Sequence, residues 1–198
     1  MVVVGIVGLP GSGKSTVARI FQGFGAYVID ADKVGHELLS PGTGVWHKIL
    51  ARFGEGLLGE GGEIDRKRLA DIVFSDPIKL KILNLIMHPE MGDEISRRIE
   101  GIRERDPDAV VVVDGAILVE ARFSSYDKLI LVYCEDKERE ERLLKKGLSV
   151  EEMRKRERYQ MPLERKKALA DYIIDNSGDI SRTEDRARRI WEEIQGLR

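Results

Sequence analysis

The tightest constraint on this chain is eight residues, Gly8-Leu9-Pro10-Gly11-Ser12-Gly13-Lys14-Ser15, which fit the pattern G-x-x-x-x-G-K-[ST] without a mismatch. The apolar run Val2, Val3, Val4, Ile6, Val7 precedes them, and Val17, Ala18, Ile20 and Phe21 follow at helical spacing. A strand, a glycine-rich turn and a helix in that order form a phosphate-binding loop, not a chance match. Glycine lets the backbone curl so that successive N–H groups point inward at phosphate oxygens. Lys14 adds a point charge for the β- and γ-phosphates, and Ser15 offers a hydroxyl to Mg²⁺. A loop of this kind implies a nucleoside triphosphate as ligand and ties the chain to an α/β fold.

Five short apolar segments, rich in β-branched residues, read as strands: Val2–Val7, Ala26–Ile29, Ala109–Val113, Lys128–Cys134 and Tyr172–Ile174. Helical patterns separate them, which predicts a three-layer α/β/α core around a five-stranded parallel sheet. About eighty residues lie between the second and third strands, far more than a crossover helix needs. Helical patterns at Val34–Leu39, Val45–Phe53, Lys67–Phe74, Ile78–Met87 and Glu90–Arg103 fill that stretch, with glycines at 54, 56, 59, 61 and 62 between them. The spacing predicts an inserted helical subdomain over 34–103 and a lid over 137–167. The core is then left with 1–33, 104–136 and 168–198. The lid segment holds twelve basic against seven acidic residues, while the whole chain carries a net charge of −2. A basic flap beside a phosphate loop suits a cover for a transferring phosphoryl group, although most single charges there serve as a solvated helix face.

The acidic balance argues against nucleic acid as a partner, and no apolar run approaches the roughly 20 residues of a membrane span. The strand pattern begins at residue 2, so the reading expects no signal peptide and a cytoplasmic enzyme. It expects a monomer or weak homo-oligomer. Cys134 is the only cysteine and reads as a small buried hydrophobe. Charged residues make up 34% of the chain, yet asparagine occurs only at 84 and 176. That combination favours a hot-environment source.

Ligands of an open parallel sheet gather beyond the carboxyl ends of the strands. The second strand ends in Asp30-Ala31-Asp32. While the chain stays extended, both carboxylates face one side. Asp32 is the expected acceptor of the attacking hydroxyl's proton, and Asp30 the expected partner of Ser15 at Mg²⁺. Helix N-capping competes for either aspartate. Asp114, closing the third strand, is a candidate for the substrate and metal region, again with capping as the competing use. In the lid, Arg139, Arg142 and Lys146 share a helix face, and Arg156 and Gln160 repeat the spacing. Arginine's planar fork can neutralise charge that spreads over a transferring phosphoryl group, so Arg142 and Arg156 join Lys14 and Asp32 as catalytic candidates. The step His88-Pro89 reads locally as a helix end, and the three histidines lack metal-ligand spacing. Trp46 and Trp191 read as core anchors. The short stretch Asn176–Asp179 is placed for the adenine.

The chain resembles the dephospho-coenzyme A kinase family along nearly its full length. The matching blocks are residues 8–16, then Val28-Ile29-Asp30-Ala31-Asp32, Ile64-Asp65-Arg66 through Val73-Phe74, and His88-Pro89. The last block runs from Arg156 through Gln160-Met161-Pro162, Lys166 and Ala170-Asp171 to Asn176. That resemblance implies ATP-dependent phosphorylation of the ribose 3′-hydroxyl of dephospho-coenzyme A, with Mg²⁺. It implies Gly11, Ser12, Gly13, Lys14, Ser15 and Thr16 as nucleotide-binding residues, and Asp32, His88, Asp114 and Lys166 on the substrate side. The insertion would hold the acceptor. Two departures stand out: Ala116 replaces a proline usual after Asp114, and Lys146 stands where a lid arginine is common. Two readings compete. Another nucleotide or small-molecule kinase would share loop, lid and fold. A GTP-dependent switch would need a guanine-reading Asn-Lys-x-Asp motif that the chain lacks.

Overall fold

A computed structural model describes residues 1–145, 147 and 149–197, the side chains of 152, 153 and 156 excepted. In chain order the elements are β1 (Val2–Val7), α1 (Lys14–Gly23), β2 (Tyr27–Asp30), α2 (Ala31–Leu38), α3 (Gly44–Phe53), α4 (Arg66–Phe74) and α5 (Pro77–Arg103). There follow β3 (Val110–Asp114), β4 (Lys128–Tyr133), α6 (Asp136–Leu144), α7 (Val150–Glu157), α8 (Leu163–Leu169), β5 (Tyr172–Asp175) and α9 (Ile180–Gln195). The chain divides into two compact units, one of residues 1–30 and 98–198, the other of 31–97.

The first unit holds a sheet of order β2-β3-β1-β4-β5, parallel throughout. β1 and β3 are buried along their whole length. That explains their unbroken apolar runs, since a strand covered on both faces needs no polar alternation. On one face, Val2, Val4, Ile6, Val112, Ile130 and Ile174 pack with Val17, Ala18 and Phe21 of α1 and with Ala187, Trp191 and Ile194 of α9. Phe21 and Trp191 meet edge to face at 6.0 Å between ring centres, an arrangement that adds about 0.5–1.5 kcal/mol to area burial. On the other face a Cβ on Gly5 would come within 3.1 Å of Leu129 and 3.4 Å of Tyr126. The strand therefore carries no side chain there. The five expected strands are all present, each within one residue of its predicted bounds.

The second unit is helical. Val45 and Ile49 of α3, Leu69 and Val73 of α4, Leu57 and Ile64 make its core, with Leu83, Ile86 and Met87 of α5 packed against it. The glycine-rich stretch forms a short 3-10 helix at Glu55–Leu57 and a bridge between Leu58 and Ile64. The Trp46 indole donates to the Gly62 carbonyl at 3.0 Å, so this ring anchors the stretch as well as the core. Asp65 caps α4, accepting from the amides of Lys67 and Arg68 at 3.0 Å each.

One expectation is overturned. His88-Pro89 does not end a helix: α5 runs unbroken through it from Pro77 to Arg103. An internal proline costs about 3 kcal/mol and one backbone hydrogen bond. Apolar packing on both sides outweighs that local cost. Leu83, Ile86 and Met87 before the proline pack on the core, and Ile95, Ile99 and Ile102 after it are buried.

Candidate functional site

β1 ends at Val7 and delivers the chain into a loop that only glycine can build. Gly11 and Gly13 have φ of 80° and 90°, left-handed values that cost other residues about 1–2 kcal/mol. A Cβ on Gly13 would stand 2.0 Å from the Asn176 amide nitrogen, and one on Gly8 would stand 2.4 Å from the Val132 carbonyl. The turn closes through Ser12 N to Leu9 O at 3.1 Å, and α1 starts with Thr16 N and Val17 N donating to Gly13 O. The Lys14 ammonium folds back to Gly8 O at 3.1 Å. Its charge thereby lies across the loop's mouth beside a helix N-terminus, where the backbone dipole also favours anions.

Asn176, just past β5, reaches across to this loop. Its amide nitrogen donates to Ser12 O at 2.8 Å, and its amide oxygen accepts from the Thr183 hydroxyl of α9 at 2.9 Å. Its backbone N–H donates to Tyr133 O at 2.7 Å. The buried side chain of Asn176 thus joins the loop to α9, while its backbone ties the end of β5 to β4. Arg142 joins the same cluster, donating to Asn176 O at 2.8 Å and Ser12 O at 3.4 Å. The cluster walls a cavity of about 490 Å³ whose lining includes Gly11, Gly13, Lys14, Ser15 and Thr16 of the loop and α1, together with Leu143, Lys145, Gly178 and Ile180. The loop and α1 residues offer amides, two hydroxyls and the Lys14 ammonium, and Leu143 and Ile180 offer apolar surface. That combination suits a polyphosphate continuous with a flat base.

α6 and α8 each carry a buried cation that ties them to neighbouring segments of the first unit. Arg139 on α6 donates from Nε to Pro10 O at 3.0 Å and from Nη1 to Asp136 at 2.6 Å, and pairs through Nη2 with Glu157 on α7. Lys166 on α8 is fully buried. Its Nζ contacts Ala116 O at 2.9 Å, Gln160 Oε1 at 3.2 Å and Glu120 Oε1 at 3.0 Å, and Glu120 accepts from the Met161 amide at 2.7 Å. Burial pushes this ammonium below its ordinary range, and the neighbouring Glu120 carboxylate opposes the shift. The resemblance implied that Lys166 binds substrate. In this arrangement its three N–H bonds are spent on the chain itself, clasping the 116–120 stretch to the lid's return. Glu120 and Arg139 were not among the candidate site residues, although Arg139 shares a helix face with Arg142 and Glu120 closes the stretch after Asp114.

Asp30 and Asp114 are register partners at the ends of β2 and β3. They sit side by side at the sheet's carboxyl edge in the unit that holds the phosphate loop. Asp114 is buried and Asp30 exposed. The reasoning that Asp30 and Asp32 share a strand face fails, because β2 stops at Asp30 and α2 begins at Ala31. Asp32 lies instead in the first turn of α2, exposed, where its charge favours the helix N-terminus. That position belongs to the second unit, whose own cavity of about 420 Å³ follows it. Lys33, His36, Ser40, Glu63 and Arg66 are among the residues around it. His88 lies mid-helix in α5, half-buried. The side chain of Arg156 and the whole of Lys146 lie outside the described residues. Cys134 is buried, and burial pushes its thiol up, as expected for a packing residue.

Among the described residues no three or more of His, Cys, Asp and Glu gather to hold a metal by themselves, and no helix is long and apolar enough to cross a membrane. The donors at the loop, a serine hydroxyl and strand-end carboxylates, are hard oxygens. They suit Mg²⁺, which takes one or two protein ligands and fills its sphere with phosphate and water.

A dephospho-CoA kinase family model matches residues 2–182. The chain is 42% identical over 192 residues to the dephospho-CoA kinase of Aquifex aeolicus, covering 96% of each. Among solved structures it is similar to a Thermus thermophilus protein at 32% identity, TM-score 0.80, with 97% of this chain and 96% of that one covered. It is also similar to the dephospho-CoA kinase from Campylobacter jejuni at 26% identity, TM-score 0.64, with the same coverage.

Proposed function

Because the chain belongs to the dephospho-CoA kinase family, we propose that it transfers the γ-phosphoryl group of ATP to the ribose 3′-hydroxyl of dephospho-coenzyme A, completing coenzyme A. The observation that carries the reading is the phosphate loop bordering a cavity whose lining combines loop amides, Lys14 and Arg142 with the apolar side chains of Leu143 and Ile180.

In this reading the amides at Gly11–Thr16 and the Lys14 ammonium hold the triphosphate, and Leu143, Gly178 and Ile180 receive the base. Ser15 and Asp30 would hold Mg²⁺, which when bound neutralises charge on the β- and γ-phosphates. Asp32 accepts the proton of the attacking hydroxyl, and its exposure leaves the carboxylate open to an acceptor. Arg142 supplies fixed positive charge at the cavity wall. Two backbone carbonyls already orient its guanidinium, so little reorganisation is needed when charge shifts in the transition state. Arg156 on α7 supplies a second cation. Lys33, His36 and Arg66 around the second unit's cavity are suited to the acceptor's phosphates, and the resemblance assigns His88 and Asp114 to the acceptor as well. Loop, cavity and lid all act to keep water from the γ-phosphate, where it would otherwise compete with the acceptor.

The test is a coupled assay with ATP, Mg²⁺ and one acceptor at a time: dephospho-coenzyme A, adenosine or pantetheine. Appearance of the 3′-phosphorylated product with dephospho-coenzyme A alone supports the assignment. ATP consumption indifferent to the acceptor would overturn it.

A further inference from the structure

Arg139 is a buried side chain that touches both the phosphate loop and α7. Its side chain is 4% exposed, and its three nitrogens reach three different elements. Nε donates to Pro10 O in the loop. Nη1 meets Asp136 at the first position of α6. Nη2 pairs with Glu157 at the last position of α7. Asp136 is 83% exposed, and such a pair is worth little. The bond to Pro10 and the pair with Glu157 therefore carry the connection. Lysine could not replace this fork, since its compact charge cannot span partners on separate elements in fixed directions.

The bond to Pro10 is placed where it can sense a nucleotide. The Pro10 carbonyl and the Gly11 N–H are two ends of one planar peptide unit. Gly11 borders the cavity, so a phosphate oxygen taking its N–H fixes that plane and polarises the carbonyl on its far side. A more negative, better fixed carbonyl is a stronger acceptor for Arg139. The loop also has no slack against α6: a Cβ on Gly11 would stand 2.9 Å from Arg139 O and 3.0 Å from a Leu143 methyl.

We propose that Arg139 is a positioning residue that ties the placement of α7 to the conformation of the phosphate loop, so that nucleotide in the loop orders the lid's second helix. The inference rests on the loop's binding ATP, as proposed above. Coupling of this kind is reciprocal and commonly amounts to about 5–150-fold in binding.

Hydrogen exchange on the full chain tests it, with and without a non-hydrolysable ATP analogue and Mg²⁺. In the wild type the analogue slows exchange at the start of α1 and also along α7. Glu157→Gln removes the charge partner on α7 while leaving the Pro10 bond. Glu157 is 25% exposed, so a glutamine there stays solvated and the fold survives. In this variant the analogue still protects α1 but no longer protects α7, and it binds about 5–150-fold more weakly. Arg139→Met gives the same loss of α7 protection. A merely structural Arg139 would lower the melting temperature while leaving α7's response to nucleotide intact, and that result overturns the proposal. Protection of α1 without α7 in the wild type overturns it too. Protection of neither, in a chain that makes no product, would bring down the nucleotide reading itself.

Discussion

Replacing Gly13 by alanine puts a methyl group 2.0 Å from the Asn176 amide nitrogen. Two costs follow. A residue with a side chain at φ 90° gives up about 1–2 kcal/mol. Asn176 must also leave its place, losing its bonds to Ser12 O and from Thr183, about 1 kcal/mol each. The sum is about 3–4 kcal/mol against the binding-competent loop. If that state becomes the minor one, apparent nucleotide affinity falls roughly 10²–10³-fold. The double variant Gly13→Ala/Asn176→Ala isolates the second cost. With Asn176 truncated the clash is gone and its bonds are already lost, so Gly13→Ala then costs only the backbone strain. Arg142 keeps its bond to the residue 176 carbonyl throughout. Calorimetric titration of a non-hydrolysable ATP analogue into all four proteins measures the cycle, with melting temperatures recorded alongside. The expected coupling is about 2 kcal/mol. Additivity within about 0.5 kcal/mol, the usual result for independent sites, would refute the idea that Asn176 dictates glycine at position 13.

Asp32→Asn should leave nucleotide affinity near normal and collapse kcat, read by initial rates beside a binding titration; an unchanged kcat removes its role as proton acceptor. Lys166→Met strands Glu120 without its cation and should cost about 3–5 kcal/mol in chemical denaturation. Pairing it with Glu120→Gln should recover part of that loss, and no recovery would show that the ion pair is not the source. Backbone hydrogen bonds from Arg68 and Lys67 hold the Asp65 carboxyl below its ordinary 3.8. Its contribution to stability is therefore complete above that value and disappears as pH falls through the lower folded one. Asp65→Asn keeps a capping oxygen but cannot titrate. Its urea midpoint should be less sensitive to pH below about 4 than the wild type's.

The parts of this fold legible in the sequence are those fixed by neighbours. β1, the loop and α1 are contiguous, and each strand is a buried run whose composition alone marks it. The phosphate-binding set could be read for the same reason. What escaped notice depends on contacts between distant residues. Ser12 and Asn176 are 164 positions apart and Pro10 and Arg139 are 129 apart, so no periodicity links them. Pro89 was misjudged because a local preference was weighed without the packing that overrides it. The shared strand face expected of Asp30 and Asp32 is absent because β2 ends at Asp30, two residues short of Asp32. Lys166 shows the same limit from the chemical side: its contacts with Ala116, Gln160 and Glu120 span up to 50 positions and leave no local signal.

Synthesis runs from the N-terminus, so the loop at 8–15 leaves the ribosome long before Asn176, which comes from the fifth strand. At about 5–20 residues per second the interval is roughly 10–30 s. During it the Ser12 carbonyl has no amide to meet, and ATP has no finished pocket to stabilise. Cellular nucleotide therefore cannot act as a template for the early folding of this chain. It can reward only the molecule whose last strand and closing helix have already docked.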